Sequence, residues 1–394
     1  MRHKLTYRHT RMACYLASMS QAVVCCFPPL LFVNFQKEFG LPLEQVTLLV
    51  TLNFLTQLIT DAVCARVVDR IGHRICIVTG HLCVALGLVS LGVFPYVFPT
   101  PLAGLLTSVV LFAFGGGILE VLTSPIQEAC PSENKEASMS FMHSFYCWGS
   151  MAVAAVTTGL LATIGLHNWW VTCCFWAVLP LCNGLLFSQV PIAKIVEDGR
   201  SMTVGELFRT RLFWILFLLM MCSGAAELVI SQWSSALAEV GLGVTKAVGD
   251  LAGPCLFAAF MGVGRLMHVK LSDKIPIERY LMLSALLCVA GYALVVLPPN
   301  AVINLLGCGV CGFAVAVLWP GSLSLASQRC PRGGTAMFAL LALGGDIGCG
   351  FGPTLTGFIS GAFGDNLKIG IAAAVVFPIL IIAIAGILNR KESC

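Results

Sequence analysis

Charged residues are scarce in this sequence of 394 residues. Only 11% of them are Asp, Glu, Lys or Arg, whereas 58% are hydrophobic, and the mean hydropathy is +0.91. Soluble globular chains carry about 25% charged residues, so the composition excludes that class and indicates a polytopic membrane protein. The basic, polar start, MRHKLTYRHTR, leads directly into a full-length apolar segment, and we therefore expect no cleavable signal peptide.

Several chemical signatures are also missing. The sequence has no metal-ligand cluster, no nucleophile and base together in a polar loop, and no phosphate-cradling loop. The 19 cysteines are scattered through apolar runs, where a thiol behaves as a small hydrophobic group, and the C-x-x-C at 308–311 has no partner ligands. We therefore expect no enzyme activity, no cofactor, no metal and no ATP-driven step, and the juxtamembrane basic residues give no support for a nucleic-acid partner.

Apolar runs of about twenty residues recur along the chain, separated by short polar turns, which is typical of membrane-spanning helices. The pattern predicts an all-α membrane protein with twelve spans, at 12–34, 45–67, 75–94, 100–127, 137–163, 169–189, 211–238, 248–269, 280–298, 301–328, 334–362 and 368–388.

Positive charge is distributed unevenly between the two sides of these spans. If both termini are cytoplasmic, all but three of the 23 Lys and Arg residues fall on the inner side; the exceptions are Lys37, Lys246 and Lys368. Cytoplasmic loops carry the excess of Lys and Arg, so this orientation is the predicted one. The short loops and minimal tails favour the cytoplasmic membrane of a bacterium. We expect a monomer.

The two halves of the sequence resemble each other at an offset near 200 residues. EACP at 128–131 matches QRCP at 328–331, and each ends the fourth span of its half. The sequence predicts a six-helix bundle at 1–189, a cytoplasmic central loop at 190–210 and a second six-helix bundle at 211–394. Paired repeats of this kind are typical of carriers that rock about a site at the middle of the membrane.

The turn after the second span, VVDRIGHR at 67–74, carries a recognisable motif. Together with Ala65 it resembles the G-x-x-x-D-R-x-G-x-R loop of the major facilitator superfamily. The resemblance implies the twelve-helix fold of that family and a conformational role for Asp69, Arg70 and Arg74. Asp61 and Arg265 lie eight residues before Asp69 and Asp273 in corresponding spans, which predicts either a salt bridge between the halves or pairing of each within its own half.

Ionisable residues occur inside the fourth and fifth spans. Glu120 lies about twelve residues before the turn at Pro131 and His143 about twelve after it, so both are about 17 Å from the turn at 1.5 Å per residue. Ionisable residues inside the membrane are costly and mark functional sites. We therefore predict that Glu120 and His143 take part in proton coupling.

The same region, LEVLTSPI at 119–126 followed by SFMHSFYCWG at 140–149, is similar to the fucose permease family of sugar:proton symporters. The resemblance implies that Glu120 handles protons and sugar. The family asparagine is replaced by Ser124, and the first span lacks the acid that fucose permease has there; residues 20–35 offer Gln21 and Asn34 instead.

Further polar and aromatic residues lie on the predicted spans and are candidates for binding a solute. A carboxylate, amides and indole rings suit a sugar, since hydroxyls take paired hydrogen bonds and the C–H face of the ring packs on an aromatic side chain. The same set also suits an amine or another polar metabolite. The predicted substrate-binding residues are Glu227, Gln232, Trp233, Asn53, Gln57, Tyr146, Trp319 and Asp346.

The sequence therefore predicts a secondary active transporter that imports a small polar solute, a sugar, by proton-coupled symport. A sodium-coupled or uncoupled carrier and a drug or metabolite:proton exporter are alternatives on the same fold. The absence of the arginine and of the G-P-x-x-G-G run found in many exporters counts against the last of these. The expected partners are the solute, a coupling ion and the lipid bilayer.

Overall fold

The computed structural model describes residues 5–41, 43–195, 201–242, 246–363 and 366–389. All regular structure within these residues is helical. The helices are α1 (Tyr7–Leu30), α2 (Phe32–Phe39), α3 (Leu43–Ile71), α4 (His73–Val97), α5 (Pro101–Ala129), α6 (Lys135–Ile164), α7 (Trp169–Gln189), α8 (Val204–Arg209), α9 (Arg211–Leu242), α10 (Lys246–Leu271), α11 (Ile277–Val296), α12 (Ala301–Val315), α13 (Leu318–Arg329), α14 (Gly334–Ala362), α15 (Leu367–Ala373) and α16 (Val376–Leu388).

These helices follow the predicted spans. Nine spans within the described residues are long and apolar enough to cross a bilayer, and the other three predicted spans coincide with α1, α3 and α10. The first, tenth and twelfth spans are each divided into two helices, where the sequence predicts one. Pro320 and Pro378 lie three residues after their breaks and lack the N–H that would bond to the carbonyl groups of Ala316 and Ala374. Pro28 lies three residues before the first break, inside α1.

The helices form two compact units. The first comprises Met1–Pro131 and Phe145–Asp198, and the second comprises Ser132–Ser144 and Gly199–Cys394. The dividing line passes through α6, so the first turns of this helix group with the second unit. Between α7 and α9, the short helix α8 begins with a capping box in which Thr203 and Glu206 satisfy each other's backbone N–H groups.

In the first unit, α5 is in close contact with three other helices, because three successive glycines leave room for them. A Cβ atom on Gly115 would lie 2.5 Å from the Gly80 carbonyl oxygen of α4, and one on Gly117 would lie 2.9 Å from the Cβ of Thr60 on α3. Between them, Gly116 faces α1, where its Cβ would lie 3.1 Å from Oε1 of Gln21. The glycines therefore bring α1, α3 and α4 close to the helix that carries Glu120.

In the second unit, glycines also allow α9 and α14 to pack closely. A Cβ on Gly348 would lie 1.9 Å from the carbonyl oxygen of Met221, and one on Gly352 would lie 2.9 Å from Cα of Ala225. Small residues at such spacing let the backbones of membrane helices approach. This packing fixes the position of α9, which carries Glu227 and Trp233.

Candidate functional site

The carboxyl group of Glu120 is part of a hydrogen-bonded network in the first unit. The Nε2 amide of Gln21 on α1 donates to Glu120 Oε2 at 3.0 Å and to Gln57 Oε1 on α3 at 2.8 Å. Glu120 is half-buried, whereas both glutamines are buried. Three helices therefore deliver one carboxyl and two amide groups to the same place.

Several polar atoms of this network have no hydrogen-bond partner among the described residues. They are Oε1 of Gln21, Nε2 of Gln57 and Oδ1 of Asn53, and all belong to buried side chains. Leaving a buried donor or acceptor unsatisfied costs about 1–3 kcal/mol. Asn53, Gln57 and the fully buried Asp61 follow one another at intervals of four residues, so they lie along one face of α3. The unsatisfied atoms of Asn53 and Gln57 are the ones that a polar ligand would satisfy.

The part of α6 that belongs to the first unit contacts α1. The Ser150 hydroxyl donates to the backbone oxygen of Tyr146 at 2.9 Å, and Cys26 on α1 lies 3.4 Å from that hydroxyl. The half-buried Tyr146, predicted to bind solute, is thus held on the face of α6 that packs against α1.

A buried arginine connects three helices of the second unit through backbone carbonyl groups. Arg265 on α10 donates from Nε to the Ala316 carbonyl oxygen at 3.0 Å and from Nη1 to the His143 carbonyl oxygen at 2.5 Å. The Ala316 carbonyl is available because the residue four positions later is Pro320, which has no N–H to donate to it. Arg265 therefore stabilises the break between α12 and α13.

A buried charge is tolerated when it is hydrogen-bonded, and the carbonyl oxygens of Ala316 and His143 accept from Arg265. The structure therefore brings together Arg265 and His143, two residues predicted for different roles. Glu227 lies on α9 of the same unit, and its predicted role in binding stays a prediction. His143 groups with the second unit and Glu120 with the first, so their predicted cooperation in proton coupling stays a prediction.

The remaining predicted binding residues of the second unit lie along α9, α13 and α14. Trp233 donates to the Pro353 carbonyl oxygen at 3.3 Å and, with Gln232, lines a crevice of about 760 Å³ beside the exposed Phe358. The Trp319 ring covers Gly345, where a Cβ would lie 2.3 Å from the ring. Asp346 is half-buried on the next position of α14.

The turn between α3 and α4 explains the residue pattern of the VVDRIGHR motif. Gly72 has φ +101°, a backbone conformation that residues with a side chain rarely adopt. Arg74 donates to the carbonyl oxygens of Phe187, Ser188 and Val190 at 2.8–2.9 Å, so its guanidinium caps the C-terminal end of α7. Asp69 lies 3.5 Å from His73 Nε2, and Arg70 is exposed.

Asp273, at the corresponding position of the second half, accepts a hydrogen bond from Asn134. Asn134 also donates to Ser272 at 2.9 Å, and Ser140 donates to the backbone oxygen of Arg265 at 3.1 Å. These bonds tie the segment before and at the start of α6 to the end of α10. Asp61 and Arg265 belong to different units, so the predicted salt bridge between them also stays a prediction.

Gln21 is the residue of this network to which sequence reasoning assigned no role. It was visible as an amide in the first span, but its position relative to Glu120 depends on α1 packing against Gly116 of α5. A polar residue inside an apolar span is the signal that could have identified it.

Comparisons with known proteins agree with this architecture. The family model of the Major Facilitator Superfamily matches residues 13–353. No curated protein matches the chain in sequence. Among solved structures, FucP, the E. coli fucose:proton symporter, in its outward conformation is 16% identical, with coverage of 98% of this chain and 100% of that one and a TM-score of 0.84.

The proton:xylose symporter XylE is 13% identical to this chain over 98% of this chain and 95% of its own, with a TM-score of 0.82. The human organic anion transporter MFSD10 is 14% identical over 96% and 99%, with a TM-score of 0.68. At such identities the likeness concerns the fold. The family match over most of the chain identifies it as a multi-pass membrane protein that belongs to the Major Facilitator Superfamily of transporters.

Proposed function

We propose that this transporter imports a small polar solute, a sugar, by proton-coupled symport with alternating access. The observation that carries the proposal is the Glu120 network, in which a carboxyl group inside the membrane lies beside buried amides with unsatisfied atoms. A protonated carboxyl is neutral and crosses a low-dielectric region at low cost, whereas the ionised form does so at high cost. Glu120 therefore suits a proton carrier that is adjacent to a polar cargo.

The cargo-binding residues proposed for the two units are amides, a phenol, indole rings and carboxylates. Gln57 and Asn53 offer hydrogen bonds in the first unit, and Tyr146 lies on a nearby helix of that unit. In the second unit, Glu227, Gln232, Trp233, Trp319 and Asp346 are the binding residues. FucP and XylE, which have this fold, are a fucose:proton and a proton:xylose symporter, and a sugar is accordingly the first cargo to test.

A separate group of charged residues acts as the conformational gate. Arg74 caps α7, Arg265 holds the break between α12 and α13, and Asp273 accepts from Asn134. Each of these contacts joins separate helices or a helix and a loop within one unit, and so fixes the helix ends on which the proposed gate depends. Asp61, Asp69 and Arg70 complete the gate.

Orientation and location follow from the distribution of positive charge. Both termini and the central loop are cytoplasmic in this proposal, because nearly all Lys and Arg residues then lie on the inner side. The membrane is the bacterial cytoplasmic membrane, and the transporter works as a monomer.

The decisive experiment uses proteoliposomes that contain the purified transporter and a panel of radiolabelled monosaccharides, including fucose and xylose. With an inward proton gradient, the wild-type protein is expected to accumulate at least one of them above the outside concentration. Glu120→Gln should abolish accumulation while exchange of the same sugar survives, because the neutral side chain mimics the protonated state. Glu133→Gln, at an exposed glutamate outside the network, is the matched control and should behave as wild type.

Three outcomes would contradict the proposal. Accumulation by Glu120→Gln would remove the coupling role of this carboxyl group. Uptake driven by an imposed sodium gradient, and not by a proton gradient, would show that sodium is the coupling ion. Efflux without uptake, in liposomes with the cytoplasmic side of the transporter facing the lumen, would indicate an exporter.

A further inference from the structure

The Glu120 network contains a chain of two amides with a defined hydrogen-bond direction. Both N–H groups of Gln21 Nε2 are used, one toward Glu120 Oε2 at 3.0 Å and one toward Gln57 Oε1 at 2.8 Å. An ionised carboxylate can only accept hydrogen bonds, so it must face the NH2 end of an amide and not its oxygen. The amides are therefore oriented as an ionised Glu120 requires.

This orientation leaves one specific acceptor and one specific donor without a partner among the described residues. Gln21 presents its Oε1 and Gln57 presents its Nε2, and both side chains are at least nine-tenths buried. Each unsatisfied atom costs about 1–3 kcal/mol. A ligand that donates at Gln21 and accepts at Gln57 removes both costs at once.

Protonation of Glu120 reverses these requirements. A proton from water on Oε2 makes that atom an O–H donor, which the Nε2 group of Gln21 cannot accept. Rotation of the Gln21 amide by half a turn places its Oε1 toward Glu120 and toward Gln57. The Gln57 amide must then rotate as well, so that its Nε2 donates to Gln21. The unsatisfied atoms are exchanged, since Gln21 now presents a donor and Gln57 an acceptor, and no amide bond or amide proton is lost.

We propose that Gln21 and Gln57 form an amide relay, in which two linked side-chain flips report the protonation state of Glu120 to a polyhydroxylated cargo. The relay rests on the proposed function, and Gln21 is a positioning residue in it. A hydroxyl group both donates and accepts, so a polyol satisfies the relay in either setting. A carboxylate or ether oxygen can only accept a hydrogen bond, so in either protonation state of Glu120 it satisfies the donor that one glutamine presents and leaves the acceptor of the other unsatisfied. The relay therefore selects neutral polyols over such ligands.

Other titratable groups lie close to the relay and must be separated from it. Asp61 is on α3, one turn beyond Gln57, and its Oδ1 lies 3.3 Å from the Cβ position of Gly117 on α5. Cys25 on α1 lies 3.9 Å from Gln21 Nε2. Toward Gly115, α4 presents Gly80 and Val84, which do not titrate. Of the two acids, only Glu120 is hydrogen-bonded to Gln21 by a contact that the structure defines.

Infrared difference spectroscopy of the purified transporter between high and low pH tests the relay without any cargo. Isotope labelling of the glutamine side chains identifies their bands. The wild-type protein is expected to gain a carboxyl C=O band and to shift glutamine bands in the same pH range. Glu120→Gln should lose both signals, and Asp61→Asn should keep both.

The relay variants separate the two signals. Gln21→Met should keep the carboxyl band and lose the glutamine shift, while Gln57→Met should reduce that shift by about half because one flipping amide remains. Gln127→Met replaces another buried glutamine of the first unit, on α5 two turns after Glu120, and should change neither signal. If Gln21→Met does not fold, the Gln57→Met result decides.

A carboxyl band without a glutamine shift in the wild-type protein overturns the relay, as does a full shift in Gln21→Met or Gln57→Met. The absence of any carboxyl band that depends on Glu120 overturns it as well. Transport of the monosaccharide panel is measured separately. Wild-type protein that moves no sugar but shows the expected infrared signals refutes the proposed function and leaves the relay intact.

Discussion

The close packing of α9 and α14 allows a stability prediction whose size follows from one distance. A Cβ on Gly348 would lie 1.9 Å from the Met221 carbonyl oxygen, and ordinary contacts begin at 3.4 Å. In Gly348→Ala the two helices must therefore separate by about 1.5 Å at this point, and overpacking of this kind costs about 1–3 kcal/mol. Because the obstacle is backbone, which cannot rotate away, we expect a loss of about 3 kcal/mol, at the upper end of that range.

The matched control lies two residues further along the same helix. A Cβ on Gly350 would meet no atom within 4 Å, and alanine is the better helix former by about 1 kcal/mol. Thermal unfolding in detergent, followed by the fluorescence of a thiol-reactive dye, should show a Tm about 3–5 °C lower for Gly348→Ala, and an unchanged or higher Tm for Gly350→Ala. Equal melting temperatures for the two variants would refute the packing argument.

Three further predictions concern the second unit and the loop motif. Arg265→Met should lower the free energy of unfolding by about 2–6 kcal/mol, since it leaves the Ala316 and His143 carbonyl oxygens without their donor, at about 1–3 kcal/mol each; a loss below 1 kcal/mol in the same melting assay would contradict this. Gly72→Ala should lower the free energy of unfolding by about 1–3 kcal/mol, because Gly72 has a φ of +101°. Its control, Gly205→Ala, should leave the free energy of unfolding unchanged, because a Cβ there meets no atom within 4 Å. An unchanged stability of Gly72→Ala would show that the turn relaxes. Glu227→Gln should raise the Kd for the transported sugar, measured by calorimetry, at least about tenfold, which corresponds to about 1.4 kcal/mol. An unchanged Kd would exclude Glu227 from the site.

The relation between sequence and structure differs from helix to helix. The spans at 169–189 and 334–362 are predicted with the same limits as α7 and α14, because short polar turns bound long apolar runs. The breaks in the first, tenth and twelfth spans were not predicted. Proline marks all three, but a proline within a span can also leave the helix continuous, as Pro125 does in α5 and Pro353 does in α14. Which of the two occurs depends on partners such as Arg265, which takes the carbonyl oxygen that Pro320 leaves available.

In the candidate site, too, some residues were predicted from the sequence and others were not. Glu120, Gln57 and Asn53 stand out in the sequence, because polar residues in apolar spans are costly and therefore informative. Gln21 is a polar residue of the same kind, but its hydrogen bond to Glu120 was not predictable, since it requires the approach of α1 to Gly116. Arg265 was predicted as a gate residue, but its hydrogen bonds to the carbonyl oxygens of Ala316 and His143 join segments that are distant in sequence.

The sequence by itself determined the membrane class, the twelve spans and the family, because hydropathy and local motifs are properties of consecutive residues. Only the tertiary structure decided which polar groups meet. A hydrogen bond such as that from Gln21 to Glu120 spans 99 residues of chain, and its existence depends on how closely glycine faces let the helices approach.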